Sequence, residues 1–555
     1  MAGHRNILFI MCDQLRWDYL SCAGHKTLHT SNLDALAARG VRFSNAYCNS
    51  PICGPSRMSF YTGRYVSTHG ATANFVPLRI GERNIGDHLK PLGVRPVLVG
   101  KTHMMPDRDG MARLGIDPKS EIGLHHREAG FEPFERDDGI YPDRMMKMMK
   151  GQPRYNDYLR AKGHEGGNPW HWAANAVDTP EGVRSGFFND IADRPARVSE
   201  EDSETPYMTR RAMEFMAEDD GKAPWLLHLS YIKPHWPYIA PAPYHDMYGP
   251  DDVQDPVRAE AELIDTNPLM KHFIDRIAGQ TFSREEAIRK VVPTYMGLIK
   301  QIDDQLGILF AFMEERGLLE NTTIVFTSDH GDYLGDHWMG DKEYFHDASV
   351  KIPLIIADPD PAMDATRGTV SDALVQGIDL LPTFIDHFGG TPPEHLLDGV
   401  SLRPLLTGEA QDVNGAVFSE LDYHQQVFAP AIGRGPRDCR IYMVATKEWK
   451  YIHAPGFDPV LFDLKNDVEE LHDLGPSPDH ADIRETMHRY LADWSLTYRQ
   501  RETYDAAAAA RFTAFEEKAG VLIGYWDEAD MIDPQNAPDP DQQPDIEPKQ
   551  GSGMP

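Results

Sequence analysis

Five short, nearly continuous apolar runs punctuate the chain: Asn6–Cys12, Pro96–Gly100, Trp225–Leu229, Thr323–Thr327 and Ile352–Ala357. They are rich in Ile, Val and Leu and do not alternate, as strands read when a parallel sheet is covered on both faces. Helices are expected between them. Thr30-Ser31 precedes Asn32–Arg39, where Leu33, Leu36 and Ala37 share a face and Gly40 supplies the stop. A longer helix is expected over about Thr294–Arg316. Its apolar stripe runs through Tyr295, Leu298, Ile299, Ile302, Leu306, Leu309, Phe310 and Met313, and Gly317 closes it. Strands alternating with helices predict a doubly wound α/β domain.

From about residue 105 to 220 the pattern dissolves into a stretch rich in Gly, Pro, His, Trp and Met, which reads as an insertion over the sheet, either a lid or surface decoration. Beyond Gly399 a smaller unit is expected, with Lys450–His453 and Val460–Leu464 in a little antiparallel sheet. An alanine-rich helix around Tyr504–Lys518 follows, and the acidic, proline-rich Asp527–Pro555 is assigned no fold. The expected organisation is therefore a main domain over 1–405, a small α+β subdomain over 406–500, and a helix with an acidic tail over 501–555. That tail is expected to be disordered or to serve as an oligomerisation arm.

Charge and composition narrow the function. A formal net charge of −31 argues against nucleic acid or an anionic membrane as the main partner, since both reward basic surfaces. Five cysteines in 555 residues do not make a disulfide framework. The first apolar run is too short for a signal-peptide core, and no stretch approaches the ~18 residues needed to span a bilayer. A cytoplasmic protein is expected.

Polar residues gather directly after the strands. Asp13-Gln14 follows the first, Lys101 and His103 the second, Lys233 and His235 the third, and Asp329-His330 the fourth. In open α/β sheets, ligands bind outside the carboxyl ends of the strands. Asp13, Asp329 and His330 offer two carboxylates and an imidazole, a set suited to a divalent metal. Asp13 alone reads equally as a helix cap. The sharpest signal is Cys53-Gly54-Pro55-Ser56-Arg57, followed by Thr62-Gly63-Arg64. Taken alone, Cys53 reads as a small buried thiol. In this context it matches C-x-P-x-R, the sequence in which sulfatases convert cysteine to formylglycine.

The surroundings match as well. Thr30–Gly40 reads like the sulfatase run TPNLDRLAREG and Ser56–Tyr65 like SRAALLTGRY. Lys101-Thr102-His103 has the K-x-H spacing, Lys233-Pro234-His235 the K-P-H segment, and Tyr295–Gly307, Thr327–Gly335 and Leu461–Leu464 resemble the later landmarks. Over about residues 4–475 the chain resembles the type I, formylglycine-dependent sulfatases of the alkaline phosphatase superfamily. Asp13-Gln14, Asn74, Leu229–Tyr244 and Asp329-His330 place the resemblance nearest the branch of phosphonate monoester hydrolases and their arylsulfatase relatives.

The resemblance implies a large, mostly parallel sheet sandwiched by helices, with a smaller C-terminal α+β subdomain. It implies formylglycine at position 53 and one divalent metal, Ca2+ or Mn2+, held by Asp13, Gln14, Asp329, His330 and residue 53. Arg57, Lys101, His103, His235 and Lys342 become the catalytic residues, and Asn74 adds a neutral hydrogen bond to the substrate. Lys233 is read as structural, and Trp170, Trp172 and Tyr141 as aromatics that line an aryl pocket or pack the insertion. Many sulfatases carry a second aspartate at Gln14 and an asparagine at His330, so this site is less purely hard, which favours manganese. The phosphonate hydrolases carry Tyr and Thr at Lys101 and His103, so the lysine–histidine pair tilts the expectation towards sulfate monoesters. Phosphonate and phosphodiester hydrolysis is then a side activity, with the same hydrolyses as the main activity, or a non-catalytic anion- or metal-binding protein, as the alternatives. Expected partners are a small sulfate ester, a formylglycine-generating enzyme during maturation, and further copies of the chain as a dimer or tetramer.

Overall fold

All five apolar runs lie side by side in the middle of an eight-stranded sheet. In this computed structural model the described residues are 5–148 and 153–497, with 505–513, 515, 519–520 and 526–527. The sheet begins with β1 (Asn6–Asp13), β2 (Val41–Tyr47), β3 (Arg95–Gly100) and β4 (Glu132–Arg136). A separate hairpin follows, β5 (Ala176–Thr179) and β6 (Gly182–Ser185). The main sheet resumes with β7 (Trp225–Pro234), β8 (Thr322–Ser328), β9 (Leu354–Ala357) and β10 (Thr369–Gln376). Their order in space is β10-β2-β9-β8-β1-β7-β3-β4. Every neighbouring pair is parallel except those of β9, which runs antiparallel to β2 and β8.

The reversal of β9 differs from the parallel strand expected over Ile352–Ala357, and its reason is local. Adjacent antiparallel strands need no crossover helix, so the chain leaving β8 stays at the carboxyl edge of the sheet before it returns. That keeps residues 329–353 on the edge where the polar residues gather. Three strands escaped the periodicity. β2 mixes buried and half-buried positions, β4 is a short edge strand, and the first half of β10 is largely exposed. β4, which lies within residues 105–220, extends the main sheet itself.

Helices cover both faces: α1 (Ser31–Ala38), α2 (Cys53–Thr62), α3 (Glu204–Glu218), α4 (Pro268–Ile274), α5 (Ile277–Phe282), α6 (Glu285–Glu315) and α7 (Leu380–His387). On one face Leu8, Ile10, Leu227 and Leu229 share a core with Tyr207 and Phe215 of α3 and Ile299 and Leu306 of α6. On the other, Phe9 lies 6.2 Å from Phe60 of α2 and 5.3 Å from Phe384 of α7, centroid to centroid. Two-sided burial explains why the central strands are apolar without alternation. α6 begins nine residues before the expected Thr294 and carries Pro293 in its interior, with Glu285 and Glu286 in its first turn, where acidic side chains favour the helix dipole.

A second, four-stranded antiparallel sheet follows, ordered β11 (Val417–Asp422), β12 (Arg440–Ala445), β13 (Trp449–His453) and β14 (Val460–Asp463). Val444, Tyr451 and Leu461 pack there with Met487, Leu491 and Trp494 of α8 (Ala481–Thr497). All these elements belong to one compact unit, residues 1–392 and 398–498; residues 393–397 and 499–555 form another. Within the latter, the helix Ala506–Arg511 starts where Asp505 accepts from the Ala508 amide at 2.7 Å. The remainder of the expected Tyr504–Lys518 helix and most of the acidic tail lie outside the described residues. No helix among the described residues is long and apolar enough to cross a membrane.

One carboxyl beside β4 makes a pH prediction. Burial, then the nearby Glu204 carboxylate, pushes Asp137 up to about 8, against the Gly139 amide, which donates to it at 3.0 Å; Tyr141 and Asp138 also face it. An acid raised on folding stabilises the fold fully below its unfolded pKa near 4 and loses that contribution as pH rises through about 8. The expected loss is up to about 1.4 kcal/mol per pH unit between those limits. Asp137→Asn should flatten the fall in melting temperature between pH 5 and 8; an unchanged slope would refute the assignment.

Candidate active site

The strand order does the assembling. β3, β7, β1 and β8 are consecutive and parallel, so their carboxyl ends share one edge of the sheet. Asp13 closes β1, Lys101 and His103 follow β3, His235 follows β7, and Asp329 and His330 follow β8. Gly100 is needed at the β3 exit: its φ is +112°, and a Cβ there would lie 2.0 Å from the Ser230 carbonyl oxygen. That close approach turns Lys101 back across the edge.

Cys53 arrives from a different direction, in the first turn of α2, every residue of which is buried. A helix N-terminus favours an anion. Four residues on, Arg57 lies on the same face of the helix. Its Nε donates to Asp329 Oδ2 at 2.9 Å and its Nη2 to Asp13 Oδ2 at 3.3 Å, while Nη1 reaches the Lys101 carbonyl at 3.0 Å and Ser230 Oγ at 2.7 Å. Arg57 thus fixes both carboxylates from below. Lys101 Nζ pairs with Asp13 Oδ2 as well.

Around the Cys53 sulfur stand His330 Nε2 at 3.2 Å, Lys342 Nζ at 3.3 Å and Asp13 Oδ1 at 3.7 Å. Lys342 Nζ also donates to Gln14 Oε1 and to His235 Nε2, each at 2.8 Å. His235 Nδ1 lies 2.7 Å from the Trp236 carbonyl, so this nitrogen carries the proton and Nε2 accepts. Asn74 Oδ1 accepts from the Gly54 amide at 2.8 Å, which brings Asn74 beside the start of α2. His103 sits at a φ of +54°, its amide held by Asp138 Oδ1 at 2.9 Å. Lys342, in a charged loop, is thus in direct contact with Cys53.

The electrostatics follow from burial. Burial opposes ionisation of Cys53, yet Lys342, Lys101 and His330 outweigh it and hold the thiol well below its ordinary value. Burial and the sulfur push Asp13 up, but the cations Lys101 and Arg57 prevail and keep it a carboxylate. Burial would lower His330; Asp329 and Cys53 instead raise it to about 9. His235 is lowered by burial and then by Lys342, and stays neutral. Lys342 keeps its proton despite burial because Cys53, Asp341 and Asp13 surround it.

Asp13, Cys53, Asp329 and His330 each present one ligand atom, all within 4.8 Å of one another. Two buried carboxylates, an imidazole and the atom at position 53 fit a divalent ion. Gln14, also expected as a ligand, reaches the same place differently. Its φ is +64°, its amide donates to Asp329 Oδ1 at 3.0 Å, and its side-chain nitrogen donates to Asp332 at 2.6 Å. Tyr238 also donates to Asp332, at 2.5 Å.

Asp332 belongs to the polar stretch that follows Asp329-His330 in the sequence, whereas Asp138, Tyr238 and Asp341 also support this site and were given no role from the sequence. Of these three, only Asp138 carried a signal: Asp137-Asp138 directly follows β4 and obeys the strand-end rule, once Glu132–Arg136 is recognised as a strand. Lys233 is buried and holds the loop of His235 through Asn175 Oδ1 at 3.1 Å and the Pro237 carbonyl at 2.9 Å. Trp170 is fully buried with its Nε1 on Glu204 at 2.7 Å, and Tyr141 is buried too, so these aromatics pack their segment; Trp172 is partly exposed.

Four side chains that could hold a metal ion, among them a cysteine at a helix start, thus meet Lys101 and Lys342 at one buried edge of the sheet. The chain belongs to the sulfatase family: the model described as Sulfatase matches residues 5–390. A second, N-sulphoglucosamine sulphohydrolase, C-terminal, matches residues 335–496. The chain is 34% identical over 522 residues to a multifunctional alkaline phosphatase superfamily protein of Trinickia caryophylli, covering 90% of this chain and 96% of that one. It is 26% identical over 499 residues to an arylsulfatase of Clostridium perfringens, covering 88% and 93%. Among solved structures it is similar to the phosphonate monoester hydrolase of Agrobacterium radiobacter, with a TM-score of 0.76 and 29% identity over 89% of this chain and 96% of that one. The phosphonate monoester hydrolase of Silicibacter pomeroyi gives 0.77 and 28% over 90% and 96%.

Proposed function

We propose that this protein hydrolyses sulfate monoesters, aryl sulfates among them, with residue 53 as nucleophile. The observation that carries the reading is the meeting of Cys53 with Lys342, His330 and Asp13 at the sheet edge where Lys101 and His235 also converge. Conversion of Cys53 to formylglycine would supply a geminal diol, with one hydroxyl for attack at sulfur and a second for releasing sulfate by carbon–oxygen cleavage. A divalent ion on Asp13, Asp329, His330, residue 53 and Gln14 would neutralise ester charge and acidify a hydroxyl.

The chain's own residues do the rest. Lys101 and Lys342 hold the sulfate oxygens as charge builds, the electrostatic contribution that usually dominates. His235 Nε2, accepting from Lys342, keeps that ammonium aimed at the leaving oxygen. Because His235 is neutral and Lys342 protonated, Lys342 is the better-placed proton donor. Asn74 lends a neutral hydrogen bond. His103, half-buried beside the sulfur, serves as the base of the release step.

The second reading, phosphonate monoester or phosphodiester hydrolysis as the main activity, is favoured by the likeness to the two phosphonate monoester hydrolases. Turnover of an aryl sulfate against a phenyl phosphonate ester decides between them, and the sulfate is expected to give the higher kcat/KM. Chelation should abolish both activities and Mn2+ restore them. An active preparation whose Cys53 peptide has the mass of the free thiol would refute the formylglycine reading.

A further inference from the structure

Lys342 stands in a backbone that does not hold itself. Asp341, Glu343 and Tyr344 have φ values of +65°, +77° and +138°, the left-handed region that non-glycine residues avoid. Such conformations persist only where the surroundings over-determine them, and they cluster at functional sites. Three elements supply that restraint. From the junction of α4 and α5, Arg276 donates through Nη2 to the Lys342 carbonyl at 2.7 Å and through Nη1 to Glu343. From the loop after β11, Gln426 Nε2 donates to both Glu343 oxygens at 2.7 and 2.8 Å, and its Oε1 accepts from Arg276 at 3.3 Å. From α5, Phe282 and Ala278 press on Gly340 so closely that a Cβ would lie 2.4 Å from the Phe282 ring and 2.6 Å from the Ala278 carbonyl oxygen. Phe273 of α4 packs on Tyr344, centroids 5.5 Å apart.

We propose that Arg276, Glu343 and Gln426 form a clasp of positioning residues that holds the Lys342 backbone in its left-handed turn and so aims the ammonium at the leaving oxygen. Ordinary packing does not require this arrangement. Glu343 is a buried carboxylate spent wholly on a guanidinium and a carboxamide, and both of these reach in from segments far away in the chain. The other end of the lever is equally constrained, since Nζ meets Gln14 and His235 at 2.8 Å and Cys53 at 3.3 Å. A backbone shift of a fraction of an ångström at Glu343 would break several of these contacts at once. The clasp also gives the segment after β11, remote from every motif of the sequence, a role in the chemistry. This inference rests on the reading of Lys342 as the group that meets charge on the leaving oxygen.

The test is the dependence of kcat/KM on leaving-group acidity, measured on a series of substituted aryl sulfates, or aryl phosphonate esters if those are turned over faster. Lys342→Ala should steepen that dependence, costing the poorest leaving groups most. Gln426→Glu keeps the size of the side chain and its contact with Arg276 but sets a carboxylate against Glu343; it should steepen the dependence in the same sense, by roughly tenfold across the series, with KM little changed. Glu343→Gln should do likewise, and melting temperatures identify any variant that has simply unfolded. If Lys342→Ala steepens the dependence and both folded clasp variants leave it unchanged, the clasp is refuted and the role of Lys342 stands. If Lys342→Ala itself has no leaving-group effect, the role of Lys342 falls and the clasp falls with it.

Discussion

Cys53→Ser is expected to abolish multiple turnover, by roughly 10³-fold or more in kcat, while leaving the fold and metal binding largely intact. The substitution is close to isosteric, and Ser Oγ would stand where Sγ now meets His330, Lys342 and Asp13. Those neighbours can still activate a hydroxyl and attract an anionic ester. What is lost is the second hydroxyl. A serine that attacks sulfur becomes a plain sulfate ester, freed only by a further attack at sulfur against the same charge repulsion. The variant should therefore release leaving group once per site and then stop, and its active-site peptide should gain the mass of one SO3 group. Sustained release of sulfate over many cycles would overturn the two-hydroxyl mechanism.

Which parts of this protein could be read from sequence follows from burial. Central strands such as β1 and β7 are covered on both faces, so they appear as solid apolar runs. β2 and β10 are half exposed and disguise themselves as mixed sequence. The site divides in the same way. Asp13, Lys101, His235 and Asp329 are legible because parallel strands deliver their carboxyl ends to one edge, a rule that needs no coordinates. Cys53 and Lys342 needed the family resemblance, since neither follows a strand. Asp332, Tyr238, Arg276 and Gln426 act through contacts between segments well separated in the chain, such as Gln14 with Asp332, and no local pattern announces such a contact. The net charge of −31 likewise says nothing of the site itself, where the buried Arg57, Lys101 and Lys342 stand among Asp13 and Asp329.

Arg57 should have the largest effect on stability, and the sign of its effect on metal dependence follows from charge. Its guanidinium is fully buried and pairs with Asp13 and Asp329, themselves fully buried. Arg57→Met keeps much of the volume and removes the charge, leaving two carboxylates with Lys101 as their nearest lysine and the Lys101 carbonyl short of a donor. Removing one partner of a buried ion pair costs about 3–5 kcal/mol, so the metal-free protein should melt markedly lower. Two consequences for a divalent ion oppose each other. The lost hydrogen bonds loosen the orientation of the carboxylates, worth about 1.5–3 kcal/mol for a bond to a charged group. The uncompensated negative charge draws the cation more strongly, and in a buried site that effect is the larger. The gap in melting temperature between Mn2+-loaded and chelated protein should therefore be wider in Arg57→Met than in the parent, even as activity falls. Thermal unfolding of both proteins, with and without chelator, measures it. Equal gaps would mean that Arg57 serves to orient the site and does little to balance its charge.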